Sequence, residues 1–161
     1  MFHPMRRKRQ ALSVQDCTAV LERGTSGVLC LHGDEPYPYA VPLSYVYHDG
    51  KLYFHCARQG HKLEAIAANP HGCFCVVDQD QVVPDEYTTY FRSVMVFGTL
   101  RILEDEGEKN AAIDILGAKY APTDTPEHRQ KYIQREWGRF CMLEMSVEHL
   151  TGKQAIELVQ G

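Results

Sequence analysis

The chain has 161 residues, of which 44% are hydrophobic and 24% charged, and its formal net charge is -4. This length suits one well-packed domain and is short for two, so we expect a single domain over residues 1–161. The ordinary hydrophobic content argues against extended disorder, and the negative charge offers no general attraction for nucleic acid or for an anionic membrane.

The chain begins with a basic run at residues 6–9. No aromatic residues alternate with these charges to stack on bases, so we interpret residues 1–10 as a flexible basic tail and not as a nucleic-acid arm. The start of the chain lacks the apolar core of a signal peptide, and no run of about 18 apolar residues follows. We therefore expect a cytoplasmic protein without nucleic-acid or membrane partners.

The first predicted element is a short helix. Ser13 with Asp16 three residues later is typical of a helix N-terminus, and Gly24 ends the helical spacing. Three strands are then predicted, at residues 27–31, 37–47 and 51–56.

The turn before the third of these strands contains Asp49-Gly50, a dipeptide that favours a tight hairpin. A helix is predicted to begin at Gly60-His61-Lys62 and to end at Asn69-Pro70. A strand at 73–78 and a polar loop at 79–86 come next.

The longest extended segment covers residues 87–103, with Gly98 as a bulge or bend. Helices are predicted at 104–121 and 125–137, then a strand from residue 139 and a short closing strand near the end. Successive antiparallel strands with few helices between them predict a mainly β (α+β) fold, a small closed or nearly closed barrel with peripheral helices. The glycine-rich motifs of dinucleotide and nucleoside triphosphate sites are absent.

Six cysteines lie in apolar or strand-like surroundings, so we interpret them as reduced core thiols. Cys73 and Cys75 form a C-x-C pair that would share one face of a strand. A zinc site shared with His55, Cys56 and His61 is the alternative, but the paired ligand spacings of closed zinc sites are missing. We predict no metal site.

Pro42 lies inside a predicted strand, where it removes one ladder donor and requires an edge or a locally unpaired position. Two interpretations stay open on residue types alone. The freed backbone groups could bind a flat heteroaromatic edge such as the pyrimidine side of a flavin, or Pro42 could simply protect the edge from aggregation.

Gly60, His61 and Lys62 stand where a helix begins. Free N–H groups of a helix start together with a lysine ammonium make a phosphate site, and the alternative is a solvated helix terminus. The phosphate interpretation is strengthened because the two candidate binding segments are close in sequence. A ligand with its ring along residues 41–45 and its phosphate at Lys62 needs only one hairpin and the helix start that follows it. Arg58 is a second candidate for the same anion.

The chain resembles the pyridoxamine 5'-phosphate oxidase-like, FMN-binding split-barrel superfamily, most closely its nitroimidazole-resistance (Nim) branch. Three segments in this order carry the resemblance: "YPYAVPLSYVYHDGKLYFHCARQGHKLEAIAANP", "YTTYFRSVMVFGTLRIL" and "EHLTGK". The resemblance covers about residues 5–155. It implies a six-stranded antiparallel split β-barrel that forms a homodimer, with FMN at the subunit interface. By the resemblance, the FMN-binding residues are Val41, Pro42, Leu43, Ser44, His55, Cys56, Ala57, Gly60, His61, Lys62 and Ser93.

The sequence departs from the true oxidases, because their arginine-rich substrate-phosphate motifs are not found toward the C-terminus and His61 stands where they tend to carry an arginine. The resemblance therefore implies an FMN-dependent oxidoreductase that reduces small organic acceptors such as nitroimidazoles, with His55 or His61 as the catalytic proton donor. The alternatives are a non-catalytic flavin-binding, storage or sensing module, and a haem- or deazaflavin F420-binding protein.

Overall fold

The structure, a computed structural model, describes residues 2–34 and 36–159. Three parts of the predicted chain lie partly outside these ranges: Met1 of the tail, Glu35 between the first two predicted strands, and the last two residues of the closing strand. The helices are α1 Val14–Arg23, α2 His61–Ala68, α3 Glu106–Tyr120 and α4 Pro126–Glu136. The strands are β1 Ser26–His32, β2 Pro38–Ser44, β3 Val46–His48, β4 Lys51–Ala57, β5 His71–Val83, β6 Thr88–Ile102 and β7 Phe140–Gln154.

All strand pairs are antiparallel, in the order β2-β1-β5-β6-β7-β4-β3. Only Tyr45 separates β2 from β3, although these two strands lie at opposite ends of that order. One bent segment therefore pairs with β1 at one end of the sheet and with β4 at the other, which closes the sheet into a barrel. Counted as one strand, β2 and β3 reduce the seven strands to the predicted six. The mainly β split-barrel prediction is confirmed.

Local signals place most of the elements where they were expected. The Ser13 hydroxyl accepts the N–H of Asp16 at 3.0 Å and begins α1, and Asp105 and Thr125 cap α3 and α4 in the same way. Asp49 and Gly50 both have positive φ, 48° and 73°, which matches a type I′ hairpin turn.

The barrel interior is a single apolar core, and α1 covers one side of it. Tyr45, Phe54 and Phe74 are fully buried there, with edge-to-face contacts between Phe74 and each of the other two rings at 5.0 Å. Ala65 and Ile66 of α2 also face this core. Protein side chains thus fill the barrel interior, which leaves the outer face and the gap between strands for a ligand.

Gly98 matches its prediction as an irregular position. The register between β6 and β7 shifts at Phe97 and Gly98, so that one residue of β7, Glu148, is left over. A Cβ at Gly98 would lie 2.0 Å from the carbonyl oxygen of Ser146. Only glycine allows the two strands to approach this closely.

The predicted loop at 79–86 is wrong in its first part. Strand β5 continues to Val83, with Asp78 as an extra residue between Val77 and Gln79. Arg23 contacts the Asp78 carboxylate at 2.6 Å and Arg92 contacts it at 3.1 Å, which stabilises this bulge. The polar residues that suggested a loop are the solvated sides of a two-stranded ribbon.

The two ends of the chain also differ from expectation. The separate closing strand is wrong, since β7 runs on to Gln154 and a short 3-10 turn follows at Ile156–Leu158. In the predicted tail, the Phe2 ring stacks on His149 at 4.2 Å, and Gln10 is buried. Within the described residues, no helix is long and apolar enough to cross a membrane.

Candidate functional site

The barrel is open between β2 and β4. Pairing of β3 with β4 runs from His48 opposite Lys51 to Val46 opposite Tyr53, and it stops at Tyr45. Beyond that point, β2 pairs only with β1 and β4 pairs only with β7 in the described part of the chain. The two strands therefore face each other across a gap with backbone N–H and C=O groups that no ladder uses.

Pro42 lies on this open edge. It is opposite Val28 of β1, in the strand that stands first in the sheet order, so the predicted edge position is confirmed. Burial alternates along β2: Pro42 and Ser44 are exposed on the outer face, while Val41 and Leu43 pack against the core. Of the four predicted residues, only Pro42 and Ser44 can offer a side chain to an outer ligand, and the other two can contribute backbone groups.

The same alternation divides the residues predicted on β4. His55 and Ala57 are exposed on the outer face, whereas Cys56 is half-buried and packs against the core. The side chains of His55 and Ala57 thus lie on one side of the gap, opposite those of Pro42 and Ser44.

Helix α2 begins directly after β4, at the end of the gap. Gly60 is its N-cap residue with φ 139°, a conformation that favours glycine, and no side chain caps this helix start. A Cβ at Gly60 would meet nothing within 4 Å, so the space beside the helix start is open. An anion placed there would meet uncapped N–H groups at the positive end of the helix dipole.

Lys62 and His55 lie within electrostatic reach of each other. Although part of the His55 side chain is exposed, the partial burial of its ring lowers its pKa, and the positive charge of Lys62 lowers it further. The same lysine also acts on Cys56, whose pKa is raised to about 12 mainly by burial. The lysine at the helix start is therefore close enough to β4 for its charge to act on both His55 and Cys56.

His61 is turned toward β2. Its ring meets the ring of Tyr39 edge-on, with 4.5 Å between the centroids. This contact connects the first residue of α2 to the strand that carries Pro42. The imidazole of His61 thus lies at the α2 end of the gap, whereas His55 lies along its side.

Ser93 is the predicted residue that the structure does not bring to this site within one chain. It lies on β6, opposite Val77 and Lys153, with two strands between β6 and β2 on one side and one strand, β7, between β6 and β4 on the other. Arg58 is also occupied elsewhere, since its guanidinium donates to the carbonyl oxygen of Gly138 at 3.1 Å.

A cavity of about 490 Å³ that no sequence pattern predicted lies beside His55. Helices α3 and α4 form its other walls, with apolar side chains such as Leu116, Tyr132 and Ile133, and with the polar Arg129 and Glu136 at the same face. The sequence does carry one signal of this wall, because residues at helical spacing share one face of α4: Arg129, Tyr132, Ile133 and Glu136. The spacing identifies a face but not what the face covers.

The zinc alternative joins residues that the fold separates. Cys73 and Cys75 lie on β5 beside Cys30 of β1, whereas His55 and Cys56 lie on β4, with β6 and β7 between. Across residues 2–34 and 36–159, no group of three or more histidine, cysteine or acidic side chains is placed to hold a metal ion.

Comparison with known proteins identifies the family. A family model described as pyridoxamine 5'-phosphate oxidase matches residues 13–154. The chain belongs to the pyridoxamine 5'-phosphate oxidase family. The split-barrel family predicted from the sequence is therefore confirmed, and no curated protein gives a significant match.

Solved structures agree with this family fold. A candidate 5-nitroimidazole antibiotic resistance protein from Bacteroides thetaiotaomicron is 21% identical, with TM-score 0.72 over 89% of this chain and 86% of that one. A FAD-binding protein from Mesorhizobium loti is 25% identical, with TM-score 0.63 over 91% and 97%. A FAD and haem binding protein from Mycobacterium smegmatis is 18% identical, with TM-score 0.74 over 91% and 73%.

Proposed function

We propose that this member of the pyridoxamine 5'-phosphate oxidase family binds FMN across the gap between β2 and β4 and uses it to reduce small organic acceptors. The observation that carries the proposal is the position of Lys62, at an uncapped helix start, at the end of two unpaired strand edges and within electrostatic reach of His55. A planar ring with a phosphate tail matches this arrangement, because the ring can lie along the strand edges and the negative phosphate can reach the positive helix start at their end.

The phosphate would bind at the start of α2. The N–H groups after Gly60 and the Lys62 ammonium supply hydrogen bonds and positive charge, and the open space beside Gly60 admits the phosphate oxygens. His61 lies at the same end of the gap and can add a further N–H donor.

The ring would lie along the outer side of the gap. Unpaired backbone groups of residues 41–44 can pair with the donors and acceptors of its pyrimidine edge, and Pro42, Ser44 and Ala57 present small exposed surfaces. When bound, the flavin supplies transfer of one or two electrons to the acceptor. The residues of the chain hold, orient and shield it.

His55 is the better placed of the two predicted proton donors. It lies on the outer face of β4 and lines the cavity of about 490 Å³, so its imidazole can reach a small molecule bound there. The apolar walls of that cavity suit a small planar acceptor of the nitroimidazole or nitroaromatic type. The similarity to a candidate 5-nitroimidazole antibiotic resistance protein from Bacteroides supports this class of compound.

The proposal includes a homodimer. The outer face of β5 and β6 carries Val77, 63% exposed, and Met95, 40% exposed, beside Phe97. Apolar side chains in neighbouring strands of one face are typical of a surface that a second subunit covers. Ser93 lies on this face, from which it would reach the FMN of the partner.

The cofactor test uses the protein as purified. We expect a yellow protein with flavin absorption, and FMN as the small molecule identified by mass spectrometry after denaturation. Lys62→Ala should lose the flavin, while Lys131→Ala, an exposed lysine on α4, should retain it. Equal flavin content in both variants would contradict the proposed phosphate site. Release of FAD, haem or deazaflavin F420 on denaturation would show that the protein binds that cofactor and not FMN.

Turnover needs a separate test. Reductant consumption by the FMN-loaded protein should increase when a nitroaromatic compound or a quinone is added. Bound FMN that no acceptor reoxidises would favour a storage or sensing module instead.

A further inference from the structure

Cys56 and Cys141 face each other across the β4–β7 ladder. They are direct register partners, and their sulfur atoms are 3.2 Å apart. Direct partners in an antiparallel ladder have Cα atoms about 4.5–5.5 Å apart, within the range of about 4.4–6.8 Å found for disulfides. A bond between these sulfurs therefore needs only a small movement of the side chains.

The hydrogen bonds of the two thiols give them different roles. The Cys141 thiol is 3.5 Å from the carbonyl oxygen of Ala57, to which it can donate, so the Cys56 thiol is the donor to Cys141. Burial, and then this hydrogen bond, raise the pKa of Cys56 to about 12. Cys56 thus keeps its proton, which its hydrogen bond directs at the Cys141 sulfur.

Cys141 is also the thiol that a small oxidant can reach. It lines a second cavity, of about 420 Å³, with Arg58 and Lys109. Lys109 is held there by the carbonyl oxygens of Trp137 and Phe140, each at 2.9 Å from its amine. A small oxidant that enters this cavity therefore meets the Cys141 sulfur.

We propose that Cys56 and Cys141 are a reversible redox pair that closes to a disulfide when the protein meets a hydroperoxide. The Cys141 sulfur attacks the peroxide oxygen, which releases an alcohol, or water when the oxidant is hydrogen peroxide, and leaves a sulfenic acid. The Cys56 sulfur then attacks Cys141, so the S–O bond breaks, the S–S bond forms and water leaves with the second proton. The pair loses two electrons and the peroxide gains them. A small dithiol restores both thiols.

The consequence for the fold is local. The bond would fix β4 to β7 between His55 and Ala57, directly before the turn that leads to Gly60. It would thereby restrain the strand edge that borders the gap. The proposal does not depend on which cofactor binds there.

A second cross-strand pair provides the control. Cys30 and Cys73 are also direct register partners, in the β1–β5 ladder. Within the described residues, however, no hydrogen bond joins their thiols, and burial raises the pKa of Cys73 to about 11. If register alone decided the outcome, both pairs would close.

The test is a peptide map of the full chain. Reduced protein is treated with hydrogen peroxide, its remaining thiols are blocked and it is digested with trypsin. Cleavage after Lys51, Arg58, Arg139 and Lys153 gives fragments 52–58 and 140–153, each with one cysteine. We expect these fragments to be joined, with the loss of two hydrogen atoms, and to separate after treatment with dithiothreitol.

Variants assign the roles. Cys56→Ser should leave a sulfenic acid on Cys141 that dimedone traps, Cys141→Ser should give no joined fragments, and Cys73→Ser should behave as the natural chain. Joined fragments that contain Cys30 and Cys73 in place of this pair, or oxidised protein in which fragments 52–58 and 140–153 stay separate, would overturn the proposal.

Discussion

The hydroxyl of Tyr120, at the end of α3, meets the backbone of Tyr45 and also contacts the carbonyl oxygen of Thr25. It accepts the N–H of Tyr45 at 3.0 Å and lies 2.9 Å from the carbonyl oxygen of the same residue. Tyr45 is the residue at which the bent strand leaves β1 and turns to β4, so its backbone has no ladder partner on either side. A side chain from a distant helix thus satisfies the backbone at the point where the barrel opens.

Tyr120→Phe should destabilise the protein. The variant leaves the N–H of the fully buried Tyr45 without its partner, a cost of about 1–3 kcal/mol in the free energy of unfolding. Urea denaturation measures this difference. Tyr37→Phe is the matched control, because Tyr37 is 76% exposed, and an equal effect in both variants would refute the role of Tyr120.

Gly98→Ala should be severely destabilising. Its Cβ would lie 2.0 Å from the backbone oxygen of Ser146, a clash that only movement of β6 or β7 can relieve. We expect a loss of at least about 3 kcal/mol, the upper end of the usual cost of overpacking. Gly138→Ala is the control, since a Cβ there meets nothing within 4 Å. Similar thermal unfolding midpoints for the two variants would contradict the close approach of the strands.

Lys62→Ala should raise the pKa of His55. Burial and the charge of Lys62 both lower that pKa, so removal of the charge leaves only the effect of burial. A pH titration of the His55 ring signals by NMR measures the change without any cofactor. In Lys131→Ala the pKa should stay as in the natural chain, and an unchanged pKa in Lys62→Ala would place the lysine away from the gap.

Glu144 should make stability depend on pH. It is 4% exposed, and although burial raises its pKa, hydrogen bonds from Arg101 at 2.9 Å and Lys51 at 3.2 Å lower it overall. A group with a lowered pKa stabilises the fold at pH values above its unfolded pKa, and this contribution is lost as the pH falls through its folded pKa.

Glu144→Gln should therefore lower the free energy of unfolding at neutral pH, by about 1–3 kcal/mol for the lost charged hydrogen bonds. It should also reduce the loss of stability on acidification. Glu104→Gln, at an exposed position, is the control. The measurement is the free energy of unfolding by denaturant at several acidic pH values. If Glu144 had no such role, this free energy would fall with pH equally in Glu144→Gln and in the natural chain.

Parts of the site were open to prediction because they depend on neighbours in sequence. Asp49-Gly50 specifies its hairpin, and the run from Gly60 to Lys62 specifies a helix start with a cation beside it, whatever the rest of the chain does. The loop prediction at 79–86 failed because an exposed ribbon and a loop have the same polar composition. The two differ in the pairing of residues 79–83 with residues 88–92 of β6, and this pairing and the ion pairs of Asp78 with Arg23 and Arg92 arise only in the tertiary structure.

The sequence by itself determined the family, the order of the strands along the chain and the identity of the helix that carries Lys62. The tertiary structure decided that β2 and β4 stay unpaired, that α3 and α4 enclose a cavity beside His55, and that Cys56 meets Cys141. The physical reason is that strand alternation and helix spacing are set by short-range geometry, whereas these three features depend on which distant segments pair and in which register.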